Sequence, residues 1–190
     1  MTGVLFKSGI LLIVILGAAC TAPQKTVAVE SPTGCNLVQA GAATIRLTSV
    51  DGKKLQFIRT GQTIPTAYSA YTLTGGSDFF QAAKTQPAQA SLRLPSGCQQ
   101  FTLTRSETMS PELARKYPQL VSLKGGGTGG RDLRIDWDGQ VMRGQVIEMN
   151  KTYLIEPYNT ASGTVYLVFD KADVPTVRRP FESENTGNKP

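Results

Sequence analysis

The sequence predicts a mainly β fold, an antiparallel β-sandwich or partly open barrel carrying one or two short helices. Apolar and polar residues alternate with period two through most of residues 35–177, the spacing of a strand with one buried face. Compact turn signals separate the alternating runs. Helix signals are confined to two short stretches. A chain of 190 residues that is 40% apolar can bury one core of ordinary size.

Ile45, Leu47 and Ser49 alternate with Thr44, Arg46 and Thr48, then Asp51-Gly52 leads into Lys54-Leu55-Gln56-Phe57-Ile58. Asp-Gly between alternating runs predicts a hairpin, because both residues tolerate the positive φ of a type I′ turn. Ala90 to Leu94 and Gln100 to Arg105 flank Pro95-Ser96-Gly97, a second hairpin. Asp138-Gly139 joins Leu133–Trp137 to a run from Val141 to Met149, and Asn150-Lys151 turns the chain into Thr152 to Tyr158. The last predicted strand, Thr164 to Asp170, carries Val165, Leu167 and Phe169 on one face.

The clearest helix starts at Ser110-Pro111-Glu112: a capping hydroxyl, a proline at the first helical position and an acid near the positive dipole end. Arg115 and Lys116 suit its last turn, and Pro118 ends it after barely two turns. Tyr117 is expected to pack it onto the sheet. Ser77 to Lys84 is a second short helix.

The sequence contains no His, which removes Ser-His-Asp and Cys-His catalysis and the H-E-x-x-H zinc helix. A net charge of +6 is a mild excess rather than a nucleic-acid-binding stripe, so no nucleic acid is expected as partner. No cofactor and no metal are expected.

The first twenty residues, MTGVLFKSGILLIVILGAAC, place an apolar run after Lys7 that is too short to span a bilayer and fits an export signal. Small residues directly before Cys20 resemble the bacterial lipobox, although Gly17 stands where Leu or Val is usual. The resemblance implies a signal peptide at 1–19 and a lipid on Cys20. Residues 20–34 would then be a tether, 35–177 the folded domain and 178–190 a disordered polar tail. Thr21 in place of an inner-membrane retention Asp implies the outer membrane, with the domain facing the periplasm or the cell surface. In that oxidising compartment the two other cysteines, Cys35 and Cys98, read most simply as a disulfide closing a long loop.

From Ala90 to Val174 the sequence resembles the N-terminal propeptide-like domain of bacterial reprolysin-type zinc metalloproteases. The elements are Leu94-Pro95, Thr108-Met109-Ser110-Pro111-Glu112-Leu113-Ala114, Lys116-Tyr117-Pro118-Gln119-Leu120 and Tyr153-Leu154-Ile155-Glu156-Pro157-Tyr158, in that order. The catalytic zinc motif of that family cannot be built from a sequence without His. The resemblance therefore implies a free-standing, lipid-anchored module that does no catalysis. It would bind a protein partner, a zinc metalloprotease, and inhibit it or assist its folding in trans. The competing expectation is a structural or adhesive module that binds glycan or another envelope protein.

Several residues invite a sharper reading. A free Cys98 thiolate would be able to occupy a protease zinc position, but only if it is not bonded to Cys35. The run Gly125-Gly126-Gly127-Thr128-Gly129-Gly130 lacks the order of a phosphate loop. It is expected to be a flexible connection adaptable at an interface, which makes Gly126, Gly127 and Thr128 candidate partner-binding residues. Tyr68 and Tyr71, in the stretch Ile64 to Tyr71, are the candidate aromatic contacts. Asp132, Asp136 and Asp138 share a strand face by parity but have Arg134 among them. Glu148 and Glu156, on neighbouring strands, would be a facing carboxylate pair. Trp137, in line with Leu133 and Ile135, is expected in the core.

Overall fold

A computed structural model describes residues 34–58 and 61–175. The predicted signal peptide, Cys20, nearly all of the tether and the tail from 178 onward lie outside these residues. The strands are β1 (Leu37–Ala40), β2 (Ala43–Val50), β3 (Ser69–Thr74), β4 (Ala88–Leu94), β5 (Gly97–Arg105), β6 (Val121–Gly127), β7 (Arg131–Trp137), β8 (Met142–Glu148), β9 (Lys151–Thr160) and β10 (Gly163–Asp170). Two short helices are α1 (Ser77–Ala82) and α2 (Pro111–Lys116). The mainly β, antiparallel class holds, and the sheet closes completely. The strand order is β1-β2-β3-β10-β9-β8-β7-β6-β5-β4, with β4 returning to pair with β1. Closure leaves no sheet edge among these strands for a further strand to extend.

Alternation fills the interior. In β8, Met142, Gly144, Val146 and Glu148 face inward, while Arg143, Gln145 and Ile147 face out. Val38, Ile45, Phe101, Leu103, Leu123 and Ile135 are fully buried in one continuous apolar core. Helix α1 plugs one end of the barrel with Phe79 and Phe80, both without exposed surface. Phe80 stacks on Trp137 with centroids 4.8 Å apart and planes 13° from parallel. Burying a ring of this size contributes about 2–3 kcal/mol. Trp137 thus packs against the core, as its alignment with Leu133 and Ile135 predicts.

The hairpins at 95–97 and 138–141 form as read, with Gly139 at φ +101°. At the β8–β9 turn the left-handed residue is Met149, at φ +49°. The Asp51-Gly52 hairpin does not form. Asp51 has φ −72°, and its side chain accepts from the Lys53 amide at 3.1 Å, capping a single 3-10 turn instead. The chain then leaves the sheet, and β2 pairs with β3. Of the predicted strand Lys54 to Ile58, only Phe57 makes a bridge, to Thr160.

This excursion has a structural use. Val165, Leu167 and Phe169 lie on the outer face of β10, while Tyr166 and Val168 join the interior core. Leu55, Phe57 and Tyr68 cover that outer face, and Phe57 meets both Tyr68 and Tyr158 edge-to-face at 6.1 and 5.9 Å. The Tyr158 hydroxyl donates to the Thr63 carbonyl at 3.0 Å, tying the covering segment down.

Helix α2 is capped as predicted: Ser110 Oγ accepts from the Leu113 amide at 3.3 Å. Its packing is not as predicted. No α2 residue is buried, and Leu113 and Tyr117 are 48% and 38% exposed. Tyr117 lies under the Lys116 ammonium, 5.4 Å from ring centre, rather than against the sheet. The tie between the helices is polar, with Lys84 Nζ donating to the Pro118 carbonyl at 2.8 Å.

Candidate functional site

The interior is filled with side chains, so concave surface must be sought outside. The outward row of each strand from β5 to β8 follows from register. Thr104, Lys124, Arg134 and Gln145 sit opposite one another across four strands. The next row toward the β6–β7 turn is Thr102, Gly126, Asp132 and Ile147. Because Gly126 contributes no side chain, these rows surround a hollow of about 490 Å³. A second hollow, of about 280 Å³, continues past Gly126 along Gln100, Gly127 and Thr128. A third, of about 190 Å³, meets the first at Arg134 and is lined by Met109, Leu120 and Trp137. Together they form a trough along β6, about 20 Å long at the rise of a strand.

The glycine run is therefore not a flexible connection over its whole length. Gly125, Gly126 and Gly127 belong to β6, and only Thr128, Gly129 and Gly130 make the turn. Two of the three are required by packing. A Cβ on Gly125 would lie 1.7 Å from the Thr102 carbonyl oxygen. One on Gly127 would lie 2.7 Å from the Gln100 carbonyl oxygen and 2.8 Å from the Phe101 ring. These glycines let the backbones of β5 and β6 approach closely. Gly126 is different: its nearest neighbour would be the Arg131 carbonyl oxygen at an ordinary 3.7 Å.

Asp132 and Asp136 share the outward face of β7 with Arg134 between them, as parity predicts, and each of the other candidate carboxylates is bound to partners of its own. Asp136 is in β7, bonded to Ser122 Oγ and, at 3.0 Å, to Arg134 Nε. Asp138 is in the following turn, where it accepts from the Gln140 and Val141 amides, each at 2.9 Å, and from Arg143 at 3.1 Å. The Val141 amide foremost, with Gln140 and Arg143, outweighs desolvation and holds the Asp138 carboxyl below its usual pKa. Among the described residues no three His, Cys, Asp or Glu side chains gather as a metal site. Glu148 and Glu156 do not face each other either. Glu148 points into the barrel, whereas Glu156 points outward toward Arg143 at 3.5 Å. Burial pushes the Glu156 carboxyl above its usual pKa, with Arg143 opposing.

Glu148 instead stitches three hairpins at the end of the barrel opposite α1. It accepts from Arg131 Nε at 2.7 Å and from Ser96 Oγ at 2.9 Å, while Arg131 Nη1 donates to the Thr128 carbonyl. Burial works to raise the Glu148 pKa, but hydrogen bonds from Arg131 and then Ser96 outweigh it and hold the carboxyl below its usual value. A depressed carboxyl adds stability above its unfolded pKa and loses it as pH falls through the folded one. Glu148→Gln is expected to cost about 2 kcal/mol at pH 7, because a charged acceptor is lost from a mostly buried guanidinium. The gap from wild type should narrow below about pH 4. Urea denaturation at pH 7 and pH 3 checks this; a gap that widens in acid would refute it.

Of the predicted contact residues, Gly126, Gly127 and Thr128 do line the trough. Tyr71 does not belong to any surface: it points into the barrel and is 4% exposed. Period two decides this, because Tyr71 follows Ala70, which faces the covering segment. Tyr68 is half-buried in the outer cluster against Phe57, with its hydroxyl donating to Gly52. Cys98 is bonded to Cys35, with Cα atoms 5.8 Å apart, so it has no thiol to offer a metal. Lys124, Arg134 and Ile147 were not predicted; their alternation was readable, but not which strands lie side by side. Comparison with family models, curated proteins and solved structures finds no match to the chain.

Proposed function

We propose that this chain is a lipoprotein of the bacterial cell envelope, anchored through Cys20, whose barrel binds a protein partner and catalyses no reaction. By the propeptide-like resemblance of Ala90 to Val174 the partner is a zinc metalloprotease, inhibited or assisted in folding in trans. The observation that supports a binding role is the trough along β6. It lies on the outside of a filled barrel and is long enough for an extended segment, and its residues differ in charge and polarity from end to end. The polarity of the barrel, apolar within and charged on the outer rows of β6 and β7, is the reverse of a membrane-spanning barrel. That agrees with attachment by a lipid rather than by the strands.

Crosslinking in native envelopes, followed by purification through this chain and mass spectrometry, tests the reading. A metalloprotease recovered with wild type, and a change in its activity when purified chain is added, is the expected result. Recovery of no protease, with no effect on purified envelope metalloproteases, would overturn it. Radiolabelled palmitate tests the anchor separately: label is expected on wild type and not on Cys20→Ser.

A further inference from the structure

We infer that the β6 trough docks an extended acidic segment of the partner, with a carboxylate seated at Lys124 and Arg134 and an apolar side chain in the Met109–Trp137 hollow. This rests on the reading of the chain as a protein-binding module and names the surface and the chemistry of what it takes.

Three observations carry it. First, Lys124 and Arg134 are registered directly opposite each other on β6 and β7. Like charges in that position repel, and a sheet face that serves only as solvated surface gains nothing from the arrangement. Arg134 is partly neutralised by Asp136, but Lys124 has no ion pair or side-chain hydrogen bond among the described residues. Asp132, one row away, is the other carboxylate near these two cations and the one that lines the central hollow. A carboxylate arriving between the cations would relieve their repulsion. Second, Gly126 is not required by the fold: its φ is negative or extended and a Cβ there would meet no close contact. Glycine inside a strand carries an entropic cost that Ala would avoid. What the missing side chain leaves is open backbone one row from the paired cations, beside Lys124 along β6, where another chain can lie close. Third, the trough changes character along its length. Toward α2 it is lined by Met109, Leu120 and Trp137, where Asp136 and Asp138 are already held by Arg134 and Arg143. That end accepts an apolar side chain next to the seated acid.

The test uses the full chain in detergent and a fluorescein-labelled peptide of repeating Glu-Ser-Phe-Ser units, with a Lys-Ser-Phe-Ser peptide as control. In an extended peptide, Glu and Phe two residues apart point the same way. Fluorescence anisotropy should show binding of the Glu peptide only, weakening as salt is raised. Lys124→Glu and Gly126→Val should each weaken it by about tenfold or more, while neither variant lowers the thermal transition below that of wild type. No binding by wild type, or equal binding by the Lys124→Glu variant, would overturn the inference. The envelope crosslinking experiment separates its failure from that of the broader reading. A protease recovered equally with wild type and both variants keeps the protein-binding function and removes the trough from it. Its loss from both variants, and from wild type when the Glu peptide is in excess, supports the trough.

Discussion

Replacing Gly125 with Ala is expected to destabilise the barrel by about 3 kcal/mol or more, whereas Gly126→Ala one residue along should be neutral or stabilising by up to about 1 kcal/mol. The contrast follows from what each new methyl group meets. At Gly125 it is set against backbone, the Thr102 carbonyl oxygen at 1.7 Å and the Leu103 Cα at 2.9 Å. Neither is the end of a flexible side chain, so relief requires β5 and β6 to separate at five paired positions from Phe101–Gly127 to Arg105–Leu123. At Gly126 the methyl group enters the outer trough in ordinary van der Waals contact, and the unfolded chain loses freedom that the fold does not use. Urea unfolding of the two single variants measures both effects. Equal destabilisation would mean that Gly126 is as much a packing requirement as its neighbour, and would remove one support for a docking role. Wild-type stability in Gly125→Ala would mean that the close approach of β5 and β6 is not rigid.

Local signals were legible wherever a residue determines its own backbone. Ser110-Pro111 capped a helix, Asp138-Gly139 turned a hairpin, and Cys35 and Cys98 found each other. The same chemistry misled at Asp51-Gly52. A side-chain carboxylate that can turn a hairpin can equally cap a 3-10 turn, and only the burial available to Leu55 and Phe57 on the outside of β10 decides between them. β6 was hidden for a related reason. Val121 and Leu123 carry the strand period, but the glycines after them read as a connection, because the need for Gly125 lies in Thr102 and Leu103 on another strand. The trough was out of reach for the same cause. Gly126 and Thr128 were singled out, but Lys124, Arg134 and Ile147 become neighbours only through the registers of β6, β7 and β8. Tyr71 shows the limit of reading aromatics as contacts: a single residue of strand register takes it from surface to core.

Removing the Cys35–Cys98 bond should lower the stability of the chain by roughly 4 kcal/mol, because it closes a loop of sequence separation 63. Where it sits suggests a local effect as well. β1 is four residues long and is the strand that completes the barrel between β2 and β4. Its entry is held twice. Asn36, at φ +65°, accepts from the Arg93 amide at 2.8 Å through Oδ1 and from the Leu47 amide at 2.9 Å through its carbonyl. The disulfide then reaches past β4 to Cys98 at the start of β5. With the bond gone, Val38 and Ala40 still bury their side chains in the core, so the barrel should still close. The Asn36 contacts would remain, but β1 would open more often than its neighbours. The Cys35→Ser/Cys98→Ser variant is therefore expected to show a lower urea midpoint together with faster amide exchange in β1 and the facing residues of β4 than in β7 and β8. Reduced wild type should behave the same way. An unchanged midpoint would show that the cross-link contributes nothing measurable. A lowered midpoint with uniform exchange would assign its effect to the unfolded chain alone and leave Asn36 as the sufficient latch of the closing strand.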